Sequence, residues 1–361
     1  MRICIATGGT GGHIYPAISF ARALLAQYEN VEVLFIGNNN RMEAHEIPAL
    51  GYRFIGLDAK GFSGSIFSKV NAAIKTLTSR NKALKILKDF QPDFVIGFGG
   101  YITVPVLSAA HALKIPTMLH EQNSYAGKAN RVLAGSVDAI VTCYAENIGQ
   151  FPRNKTFLLG NPRTYELKNI TRETDLLEAY GLKIDLPTVL IVMGSLGSES
   201  VNRLMVEVLE GLRNKEFQVL YVTGKKHYTA FVAKVMADDK LKIVAYVDQL
   251  RLMYVVDLIV CRGGATTAAE ITAVGLPSII IPSPYVPNNH QVLNAKSLAD
   301  SGAAIMIEES DMNANMMVKT ISELITNPDQ LRIMAERAKR LGKPDAAQQM
   351  IQLMEDILKG K

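Results

Sequence analysis

Cysteine is scarce in this chain: Cys4, Cys143 and Cys261 are the only three in 361 residues, far apart and each in or beside an apolar run. No CxxC pair and no Cys/His spacing suggests zinc, so they read as reduced core thiols of a cytosolic protein. Also missing is any apolar run long enough to cross a bilayer. The apolar start Ile3–Ala6 runs straight into GGTGG, which is not the pattern of a signal peptide. Charge of either sign is modest. The net value of +5 fits an acidic ligand or a membrane surface better than nucleic acid. What remains is a soluble composition, 48% hydrophobic, on a chain long enough for two domains.

The most informative stretch is RGGATTAAEITAVGLPSIIIPSPYVPNNHQVLNA, from Arg262 to Ala295. A Gly pair follows the apolar run Asp257–Cys261, which reads as a strand, and Ala265–Val274 has good helix formers without internal Pro or Gly. A helix start presents unpaired N–H groups and partial positive charge, and Gly263 and Gly264 let a ligand come close to that backbone. Thr266 and Thr267 add hydroxyls there. Glu270 lies one turn along on the Thr266 face, where a carboxylate can accept hydrogen bonds from both hydroxyls of a ribose. Diphosphate at the helix start and ribose one turn deeper suits a nucleoside diphosphate. An ordinary amphipathic helix after a Gly turn is the other reading.

Taken in order, the chain repeats one pattern. Arg2–Ala6 is a short apolar run, Gly8–His13 reads GGTGGH, and helical spacing follows. This is the first βα unit of a doubly wound domain. The turn is neither G-x-G-x-x-G nor a P-loop, which disfavours dinucleotide and ATP, but its N–H groups can still form an anion nest. His13 belongs at the mouth of that nest; a buried structural histidine is the alternative. Val31–Gly37, Phe94–Leu113 (with GFGGY), Ile115–Asn123 (ending HEQN) and Ala139–Tyr144 supply the further units expected of this domain. After LGNP at Leu159–Pro162, Thr164–Lys183 is charged and irregular, as a linker and leading helix would be. Thr188–Leu212 then restarts strand, Gly-Ser-Leu-Gly turn and helix. The expected domains are 1–162 and 163–361, with the last helix, about 345–358, able to pack back on the first. Gly turns facing a common cleft leave room for two substrates.

Lys60–Lys88 carries Lys60, Lys69, Lys75, Arg80, Lys82, Lys85 and Lys88 and no acidic residue. Phe62, Ile66, Phe67, Val70, Ile74 and Leu77 are interleaved. Four of these, Ile66, Val70, Ile74 and Leu77, follow helical spacing and could be core. The mixture also fits a surface resting on anionic lipid.

These motifs, with GNP at Gly160–Pro162 and the HQ-x-x-NA block from His290, recur in order over nearly the whole chain and resemble the MurG family. Members are peptidoglycan N-acetylglucosaminyltransferases that convert lipid I to lipid II. The resemblance implies a GT-B fold, two Rossmann-like doubly wound domains. The acceptor, lipid I, is held mainly by the first domain and UDP-N-acetylglucosamine mainly by the second. It implies that Glu270 holds the ribose, that Ala265, Thr266 and Thr267 lie against the nucleotide, and that Ser195 touches the diphosphate with Asn202 nearby. Asn123 and Gln291 face the sugar. Thr10, Gly11, Gly12 and Val247 join the donor set, while Gly8, Gly9, Gly99, Gly100 and Tyr101 form the acceptor-phosphate set. His13 is the candidate base for the acceptor C4 hydroxyl and Glu121 the reserve. Arg163 and His290 carry over to the donor set although the chain departs from the family at both. Arg163 follows GNP directly, and His290–Gln291 stands where some relatives carry a Gln pair.

No D-x-D motif offers to hold a cation on the diphosphate, so neither metal nor cofactor is expected. An inverting transfer is, with the leaving charge met by helix dipole and backbone N–H groups. The expected location is peripheral, on the cytoplasmic face of a bacterial membrane, with other cell-wall synthesis proteins as possible associates. Another UDP-sugar glycolipid transferase would share the Glu270 half, but GGTGGH with HEQN argues for a pyrophosphoryl-polyprenyl acceptor. A UDP-N-acetylglucosamine 2-epimerase would need no lipid, and a nucleotide-sugar-binding regulator would release no UDP with any acceptor.

Overall fold

The computed structural model describes residues 1–59, 66–194 and 197–360. The chain divides into two compact units, Met1–Glu166 with Lys343–Lys361, and Leu167–Gly342. The boundary read after Pro162 and the one after Glu166 fall within the same 3-10 segment, Pro162–Asn169.

In the first unit, short apolar runs alternate with glycine turns and helical spacing, and the chain folds accordingly into a parallel sheet covered on both faces. Its strands are β1 (Arg2–Ala6), β2 (Glu32–Asn38), β3 (Arg53–Leu57), β4 (Phe94–Gly97), β5 (Thr117–Glu121), β6 (Ala139–Thr142) and β7 (Thr156–Leu158), in the order β3-β2-β1-β4-β5-β6-β7. The helices are α1 (Gly11–Gln27), α2 (Glu43–Ala49), α3 (Ile66–Phe90), α4 (Thr103–Ala112) and α5 (Lys128–Leu133). Because strand side chains alternate, Ile3 and Ile5 pack with Ile14, Ile18 and Leu24 of α1. Cys4 and Ala6 face the other way, onto Leu87 and Phe90 of α3 and Val106 and Leu107 of α4. Burial holds the Cys4 thiol far above its ordinary range, so it stays protonated. Strand order reverses between β1 and β4, which is where a doubly wound sheet opens a crevice beyond its carboxyl ends.

The second unit repeats the plan with β8 (Thr188–Val192), β9 (Gln218–Val222), β10 (Leu241–Val244), β11 (Leu258–Cys261), β12 (Ser278–Ile280) and β13 (Ala304–Met306), all parallel, in the order β10-β9-β8-β11-β12-β13. Helices α6 (Glu199–Leu212), α7 (Tyr228–Val232), α8 (Gln249–Leu252), α9 (Ala265–Val274), α10 (His290–Asp300), α11 (Ala314–Ile325) and α12 (Pro328–Leu341) complete it. Here the order reverses between β8 and β11. The last helix, α13 (Ala346–Lys359), belongs to the first unit and sets Met350, Ile351 and Met354 into the core around α1. Burial of each such side chain contributes roughly 1.5–3 kcal/mol.

Some sequence expectations need correcting. The sequence does not mark β3, β7 or β13: β7 and β13 have three residues each, and β3 and β7 are poor in buried ones. No α-helix leads into the second unit. Pro162–Asn169, Thr174–Leu176 and Glu178–Tyr180 are 3-10 turns. Local side-chain bonds favour that tighter path, with Asn161 Oδ1 accepting from Arg163 N at 3.0 Å and Thr164 Oγ1 donating to Asn161 O at 3.0 Å. In α3 the apolar stripe is not core where it is described. Ile74 and Leu77 are 56% and 61% exposed, and the buried face is Ala72, Ser79, Ala83, Leu87 and Phe90. Lys60 and Phe62 lie outside the described residues, as do the side chains of Ile66, Phe67, Lys69 and Val70.

Candidate active site

Each sheet places its glycine turns at the reversal of strand order. In the first unit GGTGGH leaves β1 and GFGGY leaves the neighbouring β4. The two turns pack backbone to backbone. A Cβ on Gly100 (φ 85°) would lie 2.3 Å from Gly8 O, and one on Gly99 (φ 94°) would lie 2.8 Å from the His13 ring. Only glycine fits either place. Thr103 Oγ1 donates to Gly100 O at 2.7 Å and Gln122 Nε2 to Phe98 O at 2.5 Å, which fixes the second turn. Tyr101 projects from it, 47% exposed.

Thr10 is the N-cap residue of α1, so Gly11, Gly12 and His13 form the first helical turn; His13 N donates to Thr10 O at 3.0 Å, which leaves the Gly11 and Gly12 N–H groups without a partner within the helix. His13 Nδ1 lies 3.0 Å from Gly8 O. A carbonyl only accepts, so Nδ1 carries the hydrogen and Nε2 is the basic nitrogen of the neutral ring. Arg163 is brought to the same helix, its guanidinium carbon 5.4 Å from the centre of the Tyr15 ring.

The HEQN cluster at the end of β5 divides. His120 is fully buried and donates from Nε2 to Gly160 O at 3.0 Å. Burial pushes its pKa down to about 4, against the pull of the Gly160 carbonyl and with a smaller lowering from His13. An unfolded imidazole takes its proton near pH 6.5, so between there and about pH 4 the unfolded chain binds a proton that the folded one does not. Stability therefore falls as pH drops through that window, by on the order of 3 kcal/mol at its lower end. His120→Gln can still donate to Gly160 O but cannot titrate. Urea unfolding near neutral pH and again near the lower limit should show the parent losing more stability than this variant, and equal losses would refute the assignment.

Glu121 is turned inward. Its carboxylate accepts from Asn123 N at 3.0 Å, Gly127 N at 2.8 Å and Asn130 Nδ2 at 2.7 Å, and the residue is 1% exposed. Burial raises its pKa against those donors. With both oxygens engaged it organises the 123–130 loop, and the geometry does not present it as a reserve base. Asn123, half-buried, is held at the start of that loop.

In the second unit the turn after β8 runs Gly194 (φ 83°) to Gly197 (φ 70°), and Ser195 lies outside the described residues. Asn202 on α6 points inward: Tyr221 Oη donates to its Oδ1 at 2.5 Å and its Nδ2 donates to Thr223 O at 3.3 Å. Its amide supports the sheet beneath the turn rather than facing a ligand. The side chain of Val247 is buried at 5% exposure, which leaves only its backbone to meet one.

Helix α9 starts at Ala265 as read, with Gly264 at the N-cap and Gly275 (φ 77°) ending it. Thr266 Oγ1 is buried without a hydrogen-bond partner among the described residues. Glu270, 4% exposed, lies close enough to the end of β11 to add to the burial that pushes the Cys261 thiol up to about 12. The start of α10 sits beside α9. Gln291 Oε1 accepts from Ser283 N at 2.8 Å, Asn294 Nδ2 donates to Gly263 O at 3.2 Å, and His290 is the first helical residue.

Sequence reasoning missed Arg262 and Glu309. They form an ion pair at 2.6 Å, each 12% exposed, and Arg262 Nη2 donates to Ser198 Oγ at 2.7 Å at the α6 N-cap. This ties the β11 turn to the β8 turn. A charged residue abutting a wholly apolar strand was the available signal. Among the described residues no group of His, Cys, Asp and Glu is arranged to hold a metal ion.

Comparison with known proteins assigns this architecture. The glycosyltransferase family 28 N-terminal domain matches residues 3–142 and its C-terminal domain residues 188–350. The UDP-N-acetylglucosamine–N-acetylmuramyl-(pentapeptide) pyrophosphoryl-undecaprenol N-acetylglucosamine transferase of Caldanaerobacter subterraneus is 39% identical, over 99% of this chain and 100% of that protein. The Bacillus subtilis enzyme of the same name is 38% identical over the same shares. The crystal structure of Acinetobacter baumannii MurG superposes with a TM-score of 0.80 at 28% identity, covering 98% of this chain and 99% of that one. A putative UDP-N-acetylglucosamine 2-epimerase from Listeria monocytogenes shares the fold, at TM-score 0.72 and 14% identity. With full-length relatives at this identity, a two-domain GT-B architecture and both family 28 domains in order, the chain belongs to the MurG family of glycosyltransferases.

Proposed function

We infer that the protein transfers N-acetylglucosamine from UDP-N-acetylglucosamine to the muramyl C4 hydroxyl of pyrophosphoryl-undecaprenol-linked N-acetylmuramyl-pentapeptide, converting lipid I to lipid II. One observation carries this reading: the end-to-end match, at 38–40% identity, to transferases named for that reaction. The acceptor oxygen attacks C1 of the donor sugar as the C1–O bond to UDP breaks, and the electron pair leaves on the diphosphate. Displacement from an α-linked donor gives a β-linked disaccharide.

The second unit is the proposed donor site. Its α9 start offers N–H groups, Thr266 and Thr267 to the nucleotide, with Glu270 for the ribose; Ser195 and the 194–197 turn serve the diphosphate, and Gln291 the sugar. In the first unit, the Gly8–Gly9 and Gly99–Gly100 turns serve the acceptor diphosphate, and because these turns pack on each other we assign the α1 start, Thr10 to Gly12, to that diphosphate too, in place of the donor role the resemblance implied. His13 Nε2 is the proposed base, supported by the Gly8 carbonyl that fixes its tautomer. UDP release measured with and without a lipid I analogue, in EDTA, tests the whole scheme. Acceptor-dependent release that survives the chelator is expected, and absence of release with this acceptor would overturn it.

We also place the protein peripherally on the cytoplasmic membrane face, docked through the α3 surface. Ile74 and Leu77 stand exposed on a helix whose Lys82, Lys85 and Lys88 are exposed too, and among the described residues no helix is long and apolar enough to span a membrane. Lys75 is paired with Asp58 at 2.5 Å and should contribute less. Replacing Ile74, Lys82 and Lys85 together with Gln removes two charges worth about 1 kcal/mol each near anionic lipid, besides an apolar contact. Vesicle affinity should fall about thirtyfold or more while turnover of a soluble acceptor analogue is kept. Equal vesicle binding by variant and parent would remove this surface from consideration.

A further inference from the structure

Beneath the Gly8–Thr10 turn lies a carboxylate that no motif announced. Glu43, at the start of α2, is fully buried and has no cationic partner among the described residues. Its Oε1 accepts from Asn38 N at 3.0 Å and Asn38 Nδ2 at 2.9 Å, and its Oε2 accepts from Gly9 N at 3.1 Å. The surrounding backbone is shaped to admit it. A Cβ on Gly8 would lie 2.2 Å from Glu43 Oε1, and one on Gly37 would lie 2.6 Å from its Cγ. Asn38 is in turn anchored by accepting from Ala59 N at 3.3 Å.

A buried carboxylate stabilised only by amide donors is costly to keep, and a well-packed apolar residue would serve stability as well. Its placement offers a reason. The Gly9 N–H faces into the protein, away from any ligand over the turn, so the curl from Gly8 to Thr10 is set from below. The amides left to meet an anion are those at the α1 start.

We propose that Glu43 is a positioning residue for the acceptor diphosphate, holding the Gly8–Thr10 turn in the shape that presents the α1 amides. This rests on reading that turn as the acceptor-diphosphate site. The competing effect has the opposite sign. A negative charge behind a diphosphate repels it, so if charge mattered more than shape, neutralising Glu43 would tighten acceptor binding.

Glu43→Gln keeps the volume and one carbonyl acceptor, but opposes an NH2 group to one of the N–H donors the carboxylate held. Steady-state kinetics would be compared for a lipid I analogue bearing the diphosphate and for one with a single phosphate. We expect kcat/KM for the diphosphate acceptor to fall about tenfold or more, that for the monophosphate acceptor to change less than about threefold, and the KM for UDP-N-acetylglucosamine to stay put. Equal losses on both acceptors would indicate general disruption and overturn the proposal, as would unchanged or improved diphosphate kinetics. If Glu43→Gln does not fold, Asn38→Ala loosens the same carboxylate and should show the same selectivity at about threefold, with an equal effect on both acceptors refuting it. Failure of the underlying reading would look different, since the parent itself would then show no preference for the diphosphate acceptor.

Discussion

Glu270→Ala is expected to weaken UDP binding by roughly 10²–10⁴-fold, because two charge-assisted hydrogen bonds to ribose hydroxyls contribute roughly 1.5–3 kcal/mol each. The residue is 4% exposed, so little water competes for its oxygens. It sits one turn inside α9, whose first amides belong to the proposed nucleotide site, a spacing that suits a nucleoside diphosphate. Calorimetry with UDP and with 2′-deoxy-UDP separates the ribose contact from collapse of the site. Parent protein should bind the deoxynucleotide far more weakly than UDP, and the variant should scarcely distinguish them. Glu270→Gln, which keeps the volume and a neutral acceptor, should fall between. Unchanged UDP affinity, or an equal loss for both nucleotides, would sink the ribose assignment.

The α9 reading succeeded because all its signals are local. An apolar strand, a Gly pair, helix formers and a closing glycine lie within twenty or so residues, and Ala265–Val274 folds as that stretch suggests. The same holds for β1, its turn and α1. Where the outcome depends on remote partners the sequence was mute. Ile74 and Leu77 carry a helical spacing that suits core, yet the buried face of α3 is Ala72, Ser79, Ala83, Leu87 and Phe90, and the last three pack with Val106 and Leu107 of α4.

Motif position also says less than it promises about where polar atoms point. Glu121 and Asn202 stand beside glycine turns at the carboxyl ends of their sheets. Yet Gly127 N and Asn130 claim the carboxylate, and Tyr221 and Thr223 the amide. Only the folded backbone supplies those competitors. Glu43 was invisible, and Arg262 legible only as a charge abutting an apolar strand, for the converse reason: the turns that give them meaning, at Gly9 and Ser198, lie 34 and 64 residues away.

His13→Asn should lower kcat by roughly 10²–10⁴-fold, the usual contribution of a positioned general base. The choice of asparagine follows from the geometry. Its side-chain amide nitrogen falls close to where Nδ1 was, so it can still donate to Gly8 O, while the atom that would accept the hydroxyl proton is gone. His13→Gln does the reverse, restoring a polar atom near Nε2 without a basic one. If His13 is the base, both variants lose kcat and both keep the KM for UDP-N-acetylglucosamine. If instead the imidazole merely steadies the turn or orients the acceptor phosphates, asparagine should retain kcat and the defect should appear in the acceptor KM. The two readings of one residue thus diverge in the parameter they move, and the contact between Nδ1 and the Gly8 carbonyl is what allows asparagine to tell them apart.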